Sequence, residues 1–540
     1  RHTRFKCDWS SDVCSSDLQK TGKVVWSVQA EKWQDGFTIT TAPLYYDGLV
    51  ITGFAGAEFG VRGRVKAYDA RNGKLVWTFY TIPGPGEPGH ETWPSNNEVW
   101  RNGGATVWNT PALDPELGLI YFSTGNAGPD FNGGVRPGDN LYSASIVALE
   151  ARTGQYRWHF QEVHHDLWDY DAPNPVVLFD IDLGGTKRKG VAQAGKSGYL
   201  YILDRTNGKP LIGIEEKPVM QEPRQATAAT QPFPVGDPFV PTSMEMAPEG
   251  FTLVNGGRIF TPYWTDYVLL KPGLRGGANW PPSSVDIATG HIFVCAGDQA
   301  GVFRAWDIGD KNPPAGEFYI GGNFGTNPLA MQGVFAALDL HTNKLVWQQQ
   351  WADRCLSGSI ATAGGLVFIG RNDGRLTALN TANGAKLWEF QTGAGMNAPV
   401  STFEHRGHQY VAAYSGGHVQ GGPRGDSVWL FSLDGTLEQV PPAQQSAVRL
   451  SSNASTEVNI EAGKTAYFNS CVFCHGADGK GGHGGPAFSA GLTVDTIERT
   501  VAGGRNQMPA FGSFLNDATI ANLATWVHEL AQRADAKKPN

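Results

Sequence analysis

The sequence predicts a β-propeller followed by a small all-α domain. Three observations carry that prediction: an internal repeat, an excess of turn-forming and aromatic residues, and a late change to helical patterning. The chain has 540 residues with Gly 69, Pro 33 and Trp 17, and only 17% are charged. That mixture suits a turn-rich, aromatic-packed β fold. Four stretches place Ala first, an acid or Asn two on, Gly or Asn six on and Trp ten on. They are AYDARNGKLVW at Ala67, ALEARTGQYRW at Ala148, ALDLHTNKLVW at Ala337 and ALNTANGAKLW at Ala378. Each reads as a strand, an NG- or TG-type turn and a second strand ending in Trp, the pattern of a short antiparallel hairpin. ILDRTNGKPLI at Ile202 is a decayed copy with Ile212 in the Trp position. One β-unit recurring along the chain argues for propeller blades that bury Trp against their neighbours, with a multi-sheet β-sandwich as the rival architecture.

A fifth copy, TGKVVW ending at Trp26, loses its pattern where the preceding segment begins. That segment, DWSSDVCSSDL from Asp8 to Leu18, looks like a reading frame of a sequencing-library adapter. Residues 1–18, with Cys7 and Cys14, are therefore assigned to a sequencing artefact and carry no functional role.

Residues 19–438 form the expected propeller. Composition shifts at 439–459, VPPAQQSAVRLSSNASTEVN and its neighbours, to a polar stretch without periodicity, which reads as a linker. From residue 460 to 540 the pattern is helical, with Ile520, Leu523, Ala524, Val527 and Leu530 at helical spacing. Lys and Arg total 43 against 51 Asp and Glu, a net charge of −8, so no basic field exists to hold a nucleic-acid backbone. No apolar run approaches the ~20 residues of a membrane span.

CVFCH at Cys471–His475 is the sharpest chemical motif. Two thiols three apart can form thioethers with haem vinyl groups while the adjacent imidazole binds iron. A zinc site is the rival, but it would need further ligands, and the tail offers only His483 and His528. Met508 in RNQMPAF is the expected sixth iron ligand, a thioether that raises reduction potential. With its CxxCHG, GGPAF at Gly484 and MPAF loop, this tail resembles a class I cytochrome c.

The Gly-rich repeats before it resemble the quinoprotein alcohol dehydrogenases that hold pyrroloquinoline quinone (PQQ). Their pairing with a C-terminal haem resembles the quinohaemoprotein branch, whose propeller has eight blades. In GAEFGVRG the resemblance makes Glu58 a metal ligand and Gly56 and Ala57 the backbone that approaches a quinone carboxylate. Small residues permit that approach, and Glu58 offers a hard oxygen to a divalent ion. By the same resemblance Thr40 bonds the cofactor, Trp108 is the stacking platform, Thr106 a nearby donor and Asn126 an amide-oxygen metal ligand. Without it, Trp108 would read as propeller core.

HHDLWDYDAP at His164 puts Asp169 at the position of the family's catalytic base and metal ligand, while Asp166 reads as a solvated loop residue. A carboxylate held against a cation stays ionised and can accept an alcohol proton. Asp171, an acid two residues on, resembles the lanthanide-using members as well as sugar-oxidising relatives, which leaves the metal open between Ca²⁺, placed first, and a lanthanide. Lys196 aligns with the basic residue aimed at the quinone oxygens, where it would stabilise developing negative charge. Asn279 and Trp280 in GGANWPP are placed near the ring's opposite edge, and His164 and His165 are read as structural. Cys295 and Cys355 are read as buried thiols, a disulfide being allowed in an oxidising compartment.

The resemblance implies a periplasmic enzyme oxidising alcohols to aldehydes or ketones, with PQQ, a calcium ion and haem c as cofactors. An external cytochrome, copper protein or oxidase would take the electrons. Rival readings are a PQQ-dependent sugar or polyol dehydrogenase and, in another class, a non-catalytic propeller scaffold with a tethered cytochrome. The resemblance also implies a signal peptide, first blades, an adjacent-cysteine ring and a Glu and an Arg for the quinone, all ahead of Gln19. No CC pair occurs in this sequence, so the chain as given is expected to bind PQQ weakly and to aggregate.

Overall fold

A computed structural model describes residues 3–7, 13–18, 21–307, 315–324, 331–417, 423–441, 458–476, 478–481, 485–505, 508, 511–512, 515 and 517–535. The β region is a succession of antiparallel meanders. Four are complete four-stranded sheets in which each strand pairs with the next. These are Leu44–Tyr46, Leu49–Gly53, Arg64–Asp69, Leu75–Tyr80; Ala112–Asp114, Leu119–Ser123, Ser145–Glu150, Tyr156–Gln161; Ser284–Asp286, His291–Asp298, Gln332–Asp339, Lys344–Trp351; and Ser359–Ala361, Leu366–Gly370, Arg375–Asn380, Lys386–Gln391. Three-stranded meanders begin at Val177 and Ser401, and another joins Thr3–Cys7 and Val13–Leu18 to Val24–Gln29.

The repeat works between sheets. Trp26, Trp77, Trp158 and Trp347 each donate the indole N–H to a backbone carbonyl in the following sheet's turn, at Ala70 (2.9 Å), Ala151 (3.2 Å), Arg205 (3.1 Å) and Thr381 (3.1 Å). The repeat glycine is the floor on which the ring lies. A Cβ on Gly154 (φ +71°) would sit 2.6 Å from the Trp77 ring. Trp388, whose following sheet from Ser401 carries no such copy, is 40% exposed.

Two elements fall outside the repeat: a hairpin of Ile214–Pro218 and Thr230–Pro234, and a small sheet of Val268–Leu270, Gly301–Ala305 and Gly322–Phe324. Between them lies an aromatic core containing Phe131, Trp168, Tyr170, Phe260 and Tyr263. Cys295 and Cys355 form a disulfide with Cα atoms 5.5 Å apart, which corrects the reading of two buried thiols. The register that pairs Cys295 with Phe335 on the next strand brings it to the loop carrying Cys355.

Val440 donates its backbone N–H to Gln391 O at 3.0 Å, so the chain still touches the last complete sheet there. The helical region comprises α1 (Ile460–Ser470), α2 (Val472–His475), α3 (Val494–Gly503) and α4 (Asp517–Asp535). Asn459 caps α1 through Ala462 N, and Thr493 caps α3 through Thr496 N. Ile520, Leu523, Ala524, Val527 and Leu530 of α4 are buried, packing with Tyr467 and Ile497 as their spacing requires. No helix among the described residues is long and apolar enough to cross a membrane.

Candidate functional site

Loops at one end of the meanders are laced together by backbone hydrogen bonds. Gly104 accepts from Gly63 N (2.8 Å) and donates to Val61 O (3.0 Å), and Ala105 N donates to Asn126 O (2.7 Å). These bonds draw the Gly56–Glu58 turn, the Thr106–Trp108 segment and the Asn126 loop into one cluster. The Thr40 hydroxyl donates to Trp108 O at 2.8 Å, while Trp108 Nε1 donates to Asp171 Oδ2 at 2.8 Å. Trp108 is therefore held at its backbone by Thr40 and at the indole by Asp171, which orients the half-buried ring as a platform for a flat ligand needs.

Asp169 sits in the left-handed region (φ +57°), between two fully buried aromatics, Trp168 and Tyr170, whose rings stack at 5.8 Å. Trp168 Nε1 donates to Thr261 O at 2.9 Å and the Tyr170 hydroxyl donates to Pro272 O. Packing on both flanks over-determines the strained backbone and aims the Asp169 carboxyl inward. Lys196 Nζ reaches it, 2.7 Å from Asp169 O, 3.1 Å from Asp169 Oδ1 and 2.5 Å from Asp171 Oδ1. A Cβ on Gly276 would lie 2.4 Å from Lys196 Cβ, so only glycine lets that loop cover the lysine.

Burial pushes Asp169 well above the ordinary carboxylate range, Lys196 opposing and Asp171 and Glu58 adding to the rise. Glu58 is raised by burial too, against its backbone hydrogen bond. For Lys196, burial alone would lower the ammonium, but Asp169 and Asp171 outweigh it and hold it protonated. Burial and the neighbouring carboxylates thus favour the protonated form of Asp169, and Lys196 pulls the other way.

Three features escaped the sequence. Asp166 is 1% exposed with burial raising it to about 6, which corrects its assignment to a solvated loop; its Oδ1 accepts from Trp168 N and its Oδ2 has no partner. Asp130 is 1% exposed and neither carboxyl oxygen has a hydrogen-bond partner. Arg136, fully buried, ties the two loops by donating to the carbonyls of Pro129 and Asp166. Nothing local in the sequence signals that these three charged side chains are buried.

Asn279 is turned into its own loop: its Nδ2 donates to Arg275 O (3.0 Å) and its Oδ1 accepts from Trp280 N (2.9 Å). Both line a cavity of about 30 Å³ beside the Cys295–Cys355 disulfide. His165 lies between Gly138 O (2.7 Å) and Gln225 O (2.6 Å), and His164 meets Gln161 Oε1 at 2.8 Å, so both histidines hold loops.

Among the described residues, no three Cys, His, Asp or Glu side chains converge tightly enough to hold a metal by themselves. The chemistry of the donors nonetheless suits a hard cation. Glu58, Asn126 and Asp169 are oxygen donors, and the unpartnered buried oxygens of Asp130 and Asp166 lie in the same electrostatic neighbourhood.

In the helical region Cys471 and Cys474 are free thiols on successive sides of α2. His475 Nδ1 donates to Pro486 O at 3.1 Å and its ring stacks on Phe488 at 4.7 Å. That bond fixes the tautomer and leaves Nε2 as the iron-binding atom. Met508 packs on the same core as Cys471, and these residues fit haem. For the zinc rival, His528 Nδ1 is bonded to Leu492 O at 2.7 Å, and His483 lies outside the described residues.

A family model described as glucose/ethanol/alcohol dehydrogenase, β-propeller domain, matches residues 15–321 and 331–411. A second, described as cytochrome c oxidase, cbb3-type, subunit III, matches residues 458–527. The chain is 34% identical over 451 residues to the quinoprotein alcohol dehydrogenase PedH of Pseudomonas putida, covering 78% of this chain and 72% of that protein. It is also 34% identical over 511 residues to the quinohemoprotein alcohol dehydrogenase of Comamonas testosteroni, covering 87% and 67% respectively. The solved structure of the Comamonas testosteroni enzyme matches with a TM-score of 0.70 and 30% identity over 99% of this chain and 81% of that one. A europium-containing methanol dehydrogenase matches with a TM-score of 0.64 and 28% identity, covering 77% and 72%.

Proposed function

The chain belongs to the glucose/ethanol/alcohol dehydrogenase β-propeller family, and from that premise we propose that it oxidises alcohols to aldehydes or ketones with PQQ and haem c. The observation that carries this reading is the contact of Lys196 Nζ with both Asp169 and Asp171 beside the fixed Trp108 indole. We assign residues 19–438 to the propeller, 439–459 to a linker and 460–540 to the haem domain.

When bound, the quinone supplies a two-electron acceptor and the haem a one-electron outlet. The protein's own part begins with Trp108, which offers its face to the quinone ring, and with Thr40, Thr106, Gly56 and Ala57, which line the approach to it. Glu58, Asn126 and Asp169 would hold a divalent cation, Ca²⁺ first, with Asp171 adding charge for a lanthanide. Asp169, which Lys196 draws toward its ionised form and a bound cation would draw further, would accept the hydroxyl proton of the alcohol on a carboxyl oxygen as the substrate's C–H bond breaks. Lys196 places a fixed positive charge where negative charge develops. Cys471 and Cys474 would attach the haem, and His475 Nε2 and Met508 Sδ would hold its iron.

We place the enzyme in the periplasm as a family-level inference, with an external cytochrome, copper protein or oxidase as acceptor. The test is a substrate panel on the PQQ- and Ca²⁺-loaded protein, comparing primary and secondary alcohols with aldoses and polyols. Turnover confined to sugars would replace this reading with a sugar dehydrogenase, and no turnover with PQQ bound would favour a non-catalytic scaffold.

A further inference from the structure

The segment Gly316–Phe324 belongs to no repeat, yet it touches both the Glu58 turn of the proposed site and the haem domain. Gly316 N donates to Phe59 O (2.8 Å) and Tyr319 N to Glu58 O (2.7 Å), so two bonds pin the turn that carries the Glu58 carboxylate. Ile320 O accepts from Phe131 N at 2.9 Å, pinning the loop that runs on from Asn126. At its far end the Asn323 amide lies 3.3 Å from where a Cβ on Gly481 would stand, and Gly481 N donates to His475 O at 3.0 Å. Between these ends Phe318 packs edge-on against Phe59, with ring centroids 5.6 Å apart. Among the described residues it is the one hydrophobic side chain that packs against both the Trp168–Tyr170 core and the haem-domain core.

We propose that this segment is the strap that seats the haem domain on the quinone site, with Phe318 as its positioning residue. The inference rests on the functional reading above and adds to it the element that sets the separation between the two redox groups. Phe318 is half-buried and packs against two cores, and packed cores respond to the loss of an aromatic contact by shifting discretely rather than by stretching. The same backbone bonds that hold Glu58 therefore register the His475 loop against it. Alcohol oxidation delivers two electrons and the ferric haem takes one at a time. Each transfer yields one ferrous iron, which an external one-electron acceptor reoxidises before the next.

The test uses the full chain loaded with PQQ, Ca²⁺ and haem, as the parent, Phe318→Ala and Phe318→Leu. Alcohol-driven reduction of a phenazine dye that draws directly from the quinone should stay within about twofold of the parent in Phe318→Ala, while haem reduction slows by about tenfold or more, as expected when a positioning contact is lost. Phe318→Leu should recover most of the haem rate. Hydrogen exchange gives the second readout: Phe318→Ala should lose protection at the His475 loop, while the Glu58 turn, held by its own backbone bonds from Gly316 and Tyr319, keeps it. Haem reduction at the parental rate overturns the proposal, as does equal slowing of the dye and the haem. If no alcohol reduces the parent's haem, the functional reading fails, and exchange still decides the strap, unchanged protection at the His475 loop refuting it.

Discussion

Lys196 grips Asp169 twice, through its backbone carbonyl at 2.7 Å and its carboxylate at 3.1 Å, so one ammonium fixes both the fold and the charge of the proposed base. Removing the charge while keeping the length separates those jobs. Lys196→Met should lower kcat by about 10²- to 10³-fold, the usual loss when a stabilising charge is removed, with Lys196→Arg recovering part of it. Steady-state turnover of both variants at saturating PQQ checks this, and parental kcat in Lys196→Met would remove the lysine from the mechanism.

Asp171 spends its oxygens on Trp108 Nε1 and on Lys196. Asp171→Ala is therefore expected to weaken Ca²⁺-supported turnover by disturbing the platform and the lysine, and to reduce La³⁺-supported turnover much further, because a trivalent ion needs the extra carboxylate. Titrating each metal into both proteins decides it. Equal losses with the two ions would show that Asp171 acts only through its protein partners.

The haem assignment requires covalent bonds from Cys471 and Cys474. Haem in the mature protein should resist acid-acetone extraction after denaturation, and Cys471→Ala should leave a single, weaker attachment. Pyridine haemochrome spectra report the number of thioethers. Haem that extracts freely from the parent would return the CVFCH motif to the zinc reading.

His159, packed edge-on against Tyr142 and bonded at Nδ1 to the Tyr156 hydroxyl (2.8 Å), is lowered to about 4 by burial, with nearby His164 adding to the effect. Above its ordinary value of 6.5 the folded and unfolded states are both neutral and it costs nothing. Between 6.5 and about 4 the unfolded chain takes up a proton that the folded protein refuses, so stability should fall as pH falls through that window. His159→Gln should flatten this part of the pH profile of the urea midpoint; an unchanged slope would place the titration elsewhere.

Much of this could be read from the residues because the repeat states its own physics. Tryptophans 26, 77, 158 and 347 recur with a glycine-bearing turn because each ring lies on the next sheet's turn, at Gly73, Gly154, Gly208 and Gly384, and needs a bare backbone beneath it. CxxCH announces itself through spacing alone. What stayed hidden depends on contacts made far along the chain. The Cys295–Cys355 pairing follows from strand register, the burial of Asp130 and Asp166 from aromatic packing, and the place of Phe318 from two cores that no local pattern joins. Asn279, expected near the quinone edge, makes one bond at each amide atom, to Arg275 O and from Trp280 N, contacts that depend on a loop conformation its own sequence does not announce.

The central claim is that Asp169 is the base whose proton abstraction starts electron flow to the haem. Rapid mixing of the PQQ- and Ca²⁺-loaded ferric protein with alcohol, followed at the haem absorption bands, tests it directly in the parent and in Asp169→Asn. The parent's haem should turn ferrous, and Asp169→Asn should do so slower by about 10²- to 10⁴-fold, the cost of losing a general base, with haem content unchanged. Haem reduction in Asp169→Asn within about threefold of the parent would contradict the account, since loss of a general base cannot be that mild.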